Sequence, residues 1–127
     1  MVLIFGALLG FISVAFGAFA EHGLRENITD EEFRFLMTAV RYNQVHAVVI
    51  SAIGLALLSG TKLSGIPALK WSGMLFIIGT VLFSFSIYLS VYLSIPGLVN
   101  LTPIGGMTIM GAWLLLLGCG ISTRKTA

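Results

Sequence analysis

Arg41-Tyr42-Asn43-Gln44-Val45-His46 is the border at which this chain passes from water into lipid. Charged residues crowd the segment before it. The stretch after it, Val45 to Leu58, carries no Asp, Glu, Lys or Arg. A cation, a phenol, two amides and an imidazole stand together where the two meet. Upstream, Thr29 is placed to cap a helix, with Glu32 at the capping-box spacing and Ile28 and Phe33 at the staple positions. Asp30, Glu31 and Glu32 occupy the first turn, where the helix dipole favours negative charge. Phe33, Leu36, Met37 and Val40 then recur at i, i+3, i+4 and i+7, an amphipathic face suited to the membrane interface or to a bundle. No breaker separates this face from the apolar run. The spacing predicts one helix over about 30–59, continuous or bent near Tyr42.

Composition sets the class. The chain has 127 residues, 57% of them hydrophobic and 9% charged. Covering a soluble surface takes roughly 25% charged residues. The solvent is therefore largely lipid. At about 20 apolar residues per crossing, the chain holds four transmembrane helices and no separate soluble domain. We expect a single all-α domain over 1–127, a four-transmembrane-helix bundle with an amphipathic extension before helix two. The helices fall at about 2–20, 30–59, 68–93 and 103–121.

Val2 to Ala20 ends in Ala18-Phe19-Ala20, the pattern of a signal-cleavage site. No Lys or Arg precedes it and it exceeds a usual signal core, so it reads as a membrane helix. Gly6, Gly10, Ser13 and Gly17 form a small-residue stripe along it. Such stripes let backbones approach in lipid. Gly23 is placed as its C-cap. Trp71 marks an interface end of helix three. Ser94-Ile95-Pro96-Gly97 breaks that helix, and Leu98 to Leu101 is a short link holding Asn100. Thr102 is the expected N-cap of helix four, with Pro103 at N1. Gly105 and Gly106 call for another backbone nearby.

All five acids lie between Glu21 and Glu32, while the bases are spread over the chain. There is no basic stripe of the kind that binds nucleic acid. The lone cysteine, Cys119, excludes an intrachain disulfide and reads as a small buried residue. Lys62, Lys70, Arg124 and Lys125 share one membrane face. Arg25, Arg34 and Arg41 share the other with all the acids. The excess of bases predicts cytoplasmic N- and C-termini. The up-and-down topology then gathers His22, Arg41, Tyr42, Asn43, Gln44, His46, Tyr88, Asn100 and Thr102 at similar depth on the opposite face, with Ser84 and Ser86 nearby.

Four stretches in order resemble a known family: Gly17-Ala18-Phe19-Ala20-Glu21-His22-Gly23-Leu24, Arg41-Tyr42-Asn43-Gln44-Val45-His46-Ala47, Phe83-Ser84-Phe85-Ser86-Ile87-Tyr88 and Thr102-Pro103-Ile104-Gly105-Gly106. Together they look like domain-of-unknown-function family 423, small bacterial inner-membrane proteins, and are similar to the transmembrane protein 256 family. Ala20, Glu21, Phe85 and Ile87 depart from the family's usual residues. The resemblance implies a four-helix fold and a bacterial inner-membrane location, and no activity.

Three functional readings follow. In the first, a non-enzymatic membrane module binds a lipid headgroup or partner helix through the polar cluster, with Arg41 as clamp and helix amides at Thr102 to Gly105 assisting. The plain counterpart is a snorkelling arginine and an aromatic-belt tyrosine. In the second, a small oligomeric transporter or channel subunit uses His46 as its protonatable gate. No carboxylate lies in a membrane segment to assist it. In the third, His22 and His46 ligate haem or a metal, with only Glu21 near to complete a metal site. The adopted reading carries no cofactor and no metal, membrane lipids as partners, and self-association through the small-residue stripes. Ser84, Ser86 and Tyr88 are expected to act as interhelical glue, since no acid is available to orient a serine nucleophile.

Overall fold

The computed structural model describes residues 1–126 and is an all-α bundle of four membrane-crossing segments. The first is α1 (Val2–Phe19), prolonged by a π turn over Ala20–Leu24 and a 3-10 turn over Arg25–Asn27. The second is α2 (Asp30–Leu58). The third is α3 (Pro67–Thr80), a π turn over Val81–Phe85, and α4 (Ser86–Tyr92). A 3-10 turn over Pro96–Leu101 leads into α5 (Thr102–Thr126).

The capping box forms as its residues require. Thr29 Oγ1 accepts the Glu32 N–H at 3.1 Å, and the Glu32 carboxylate accepts the Thr29 N–H at 2.8 Å. α2 then runs unbroken for 29 residues. At 1.5 Å per residue that is about 43 Å, against a hydrocarbon core of about 30 Å. Its first turns therefore stand outside the lipid core. The amphipathic face packs on the bundle: Leu36, Ala39 and Val40 are buried with Ala20, Ile87 and Tyr88. The helix ends at Leu58, and Gly60, just past the Ser59 cap, takes a φ of 67° that suits a residue without Cβ.

Three expectations need correcting. Gly23 does not cap the first helix. It lies inside the π turn beneath the Phe19 ring, and helical turns persist until Ile28 goes extended. Thr102 is not an N-cap. The 3-10 turn before it already supplies helical carbonyls, so Thr102 is itself helical and its hydroxyl is free to bond elsewhere. α5 also continues well beyond residue 121, because Ser122, Thr123, Arg124 and Lys125 include no breaker and the bases suit a helix C-terminus.

Small residues set the helix pairings. α1 lies antiparallel on α2, with Gly6 against Ser51, Gly10 against Ala47, Gly17 against Val40, and Gly54 against Leu3. α3 lies antiparallel on α5, where Gly79 meets Ile109 and Gly105 meets the Phe83 backbone. α2 and α3 join the two pairs, as at Gly73 beside Ile53. α2 and α5 stand apart, and the gap between them has α3 and the π turn for its floor.

Candidate functional site

His46 is buried on the face of α2 that looks toward α3 and α5. Its Nδ1 lies 2.7 Å from the Tyr42 carbonyl, one turn back. A carbonyl only accepts, so Nδ1 carries the proton. Nε2 then presents its lone pair to the indole N–H of Trp113, at 3.4 Å. An indole nitrogen only donates. The two bonds together select a neutral imidazole in one tautomer. Phe76 stacks beneath His46 at 5.6 Å, and Trp113 stands edge-on to Phe76 at 5.0 Å. Tyr42 stacks on Phe83 at 4.4 Å.

The rings of Tyr42, His46, Phe83 and Trp113 wall a cavity of about 450 Å³ between α2 and α5, closed on the α5 side by Gly106, Ile109 and Met110. Arg41 borders it. Arg25 pairs with Asp30 at 3.4 Å and Arg34 with Glu31 at 3.9 Å. Among the described residues Arg41 has no ion-pair or hydrogen-bond partner. An unpaired guanidinium beside an apolar cavity is equipped to hold a phosphate or carboxylate attached to a greasy body.

On the other flank of α2, Arg41 also borders a polar groove of about 490 Å³ against α1, with Glu21, His22 and Gln44. His22 and His46 thus lie on opposite sides of α2. The structure does not bring them together, and His46 Nε2 is occupied by Trp113. Among the described residues no group of three or more His, Cys, Asp or Glu is placed to hold a metal.

The remaining candidates sit elsewhere. Ser84 is fully buried and donates to the Ala39 carbonyl at 2.8 Å, tying the π turn to α2. Ser86 donates to Phe83 O at 2.9 Å and shares a hydrogen bond of 2.7 Å with Thr102, tying α4 to α5. Tyr88 stacks on Phe16 at 4.0 Å and its hydroxyl accepts from Asn43 Nδ2 at 3.3 Å. All three fasten helices together and open on neither cavity. Asn100 is exposed on the 3-10 turn, away from both. What looked like one cluster divides into an α2–α5 cavity, an α1–α2 groove and a bonded core between them.

Trp113 matters to this arrangement and was not among the candidates, while Asn43, gathered with the polar cluster, sits in the bonded core instead. Trp113 had a signal: an indole in mid-helix, away from the interface where Trp71 sits, must find an acceptor in the protein. The π turns had none. Each adds a residue to a turn at this end of the bundle, a deformation common at functional sites.

The comparisons with known proteins agree with this architecture. Residues 16–106 match the family described as protein of unknown function DUF423. A UPF0382 membrane protein of Staphylococcus haemolyticus is 36% identical over 125 residues, covering 98% of this chain and 96% of its own. The UPF0382 membrane protein YwdK of Bacillus subtilis is 33% identical, covering 91% of each chain. The UPF0382 inner membrane protein YgdD of Escherichia coli K12 is 34% identical, covering 98% and 92%. No solved structure matches. With four apolar helices of crossing length and relatives aligned over nearly its whole length, the chain belongs to the DUF423 family of integral membrane proteins, whose function is unknown.

Proposed function

We propose that this protein is a non-enzymatic membrane module that holds a phosphate-bearing lipid, with Arg41 as the anchor. The carrying observation is the unpaired guanidinium at the border of an apolar cavity between α2 and α5. A phospholipid offers the matching parts, an anion at headgroup level and hydrocarbon below. Arg41 sits one turn above the uncharged run that starts at Val45, so its guanidinium belongs at phosphate level. The protein resides in a bacterial inner membrane, the location named for the Escherichia coli relative. Its termini face the cytoplasm and the Arg41 end faces outward, following the distribution of Lys and Arg.

The transporter and haem readings draw less support. His46 has both ring nitrogens engaged within the bundle. A gate or an axial ligand needs one of them free.

The test is phospholipid retention. Wild-type protein and Arg41→Gln are purified in mild detergent, and bound phospholipid per polypeptide is measured by mass spectrometry. Arg41→Gln is expected to retain about tenfold less, in line with the strength of charge-assisted bonds to phosphate. Equal retention would refute the reading.

A further inference from the structure

The lipid reading leaves the kind of lipid open, and the surface of α2 narrows it. Arg41, Val45, Val48, Ala52 and Leu55 recur at i, i+4, i+7, i+11 and i+14, an exposed ridge down one side of the helix. A furrow descends on each flank of this ridge. Toward α5, the 450 Å³ cavity is followed by one of about 660 Å³, and Trp113 borders both. Toward α1, the 490 Å³ groove is followed by an apolar one of about 600 Å³, and Val14 and Gln44 border both. Arg41 borders the upper space on both flanks, while Val48 and Ala52 border the lower space on both. From Arg41 to Leu55 the ridge is about 21 Å long, deeper than the roughly 15 Å of one leaflet's hydrocarbon.

The head end carries two opposite charges. Glu21 and Arg41 border the same groove, and neither has an ion-pair partner among the described residues, including each other. A headgroup bearing only negative charge would satisfy Arg41 and be repelled by Glu21. A headgroup with phosphate and ammonium satisfies both.

We propose that the occupant is a diacyl phospholipid with an ammonium-bearing headgroup, seated astride α2. Its phosphate rests on Arg41, its ammonium on Glu21 with Gln44 beside it, and one acyl chain lies in each furrow. This rests on the lipid reading above and specifies its ligand.

The experiment is native mass spectrometry of the full chain in detergent doped with equal amounts of phosphatidylethanolamine, phosphatidylglycerol and lysophosphatidylethanolamine. Wild type is expected to retain the diacyl ethanolamine lipid over both others. Glu21→Gln is expected to lower the ethanolamine-to-glycerol ratio about threefold, the scale of an exposed charge pair. Arg41→Gln is expected to lose both lipids, and Arg41→Lys to keep most of the binding. Loss on Arg41→Gln with no change of ratio on Glu21→Gln overturns the headgroup assignment and leaves the lipid reading standing. No loss on Arg41→Gln overturns both. Equal retention of the lysolipid overturns the two-furrow seating. A lipid-free dimer shows that a second copy fills the furrows and overturns the proposal. Glu21 is exposed, so its variant is expected to keep wild-type helical content by circular dichroism.

Discussion

Trp113 donates its indole N–H to His46 Nε2 across the gap between α2 and α5. It links the two helices that are otherwise held apart by α3. At 3.4 Å it is long. Interhelical bonds in membranes average about 0.6 kcal/mol. Trp113→Phe keeps a ring against Phe76 and removes the donor. It is expected to destabilise the bundle by no more than about 1 kcal/mol in detergent unfolding. In nitrogen NMR the wild-type His46 should show a protonated Nδ1 and a bare Nε2 at neutral pH. The opposite tautomer would contradict the bonding described here.

Two glycines of α5, Gly105 and Gly111, are expected to behave differently. A Cβ on Gly105 would run into the Phe83 backbone, which has nowhere to go. One on Gly106 would make ordinary contact with the Phe83 ring at 3.7 Å, and one on Gly111 meets nothing. Gly105→Ala is therefore expected to cost about 2–3 kcal/mol. Gly111→Ala should be neutral or stabilising by up to about 1 kcal/mol. Thermal unfolding of the purified variants decides this, and similar midpoints for the two would contradict the helix packing.

Asn43 is fully buried and its amide nitrogen depends on the Tyr88 hydroxyl. Tyr88→Phe keeps the stacking on Phe16 and leaves that amide without its partner. The expected cost is about 1–2 kcal/mol. In an Asn43→Ala background the same change should cost almost nothing. A double-mutant cycle in unfolding free energy measures the difference, and additive effects would show that the pair is not coupled.

Topology is open to a direct check in cells. With the termini cytoplasmic, a C-terminal fluorescent-protein fusion should glow and a C-terminal alkaline-phosphatase fusion should stay inactive. Moving the phosphatase to the Pro96–Leu101 turn should activate it. The reverse pattern would place the Arg41 end in the cytoplasm.

Much of the fold was legible because its signals are local. The capping box at Thr29 and Glu32 needs only residues three apart. The small-residue stripe in α1 announced close contact before the partner at Ser51 was visible. Less of the site was legible. Gly23 and Thr102 have the residue types of helix caps, but the turns around them were already helical. Ser86 and Thr102 are far apart in sequence and share a bond only because α4 and α5 meet.

The sequence by itself determined a four-crossing membrane bundle and the end of the bundle at which polar groups collect. Those are matters of composition and depth, and the chain's order sets both. Only the tertiary structure decided the direction in which each polar side chain faces. Successive residues of a helix point about 100° apart, so residues at one level of α2 face different parts of the bundle. Asn43 turns to Tyr88 in the core, His46 to Trp113, Gln44 to the α1 groove, and Arg41 stands on the crest between two furrows. Which helix occupies each direction is set by packing among glycines far apart in the chain, and no local signal carries it.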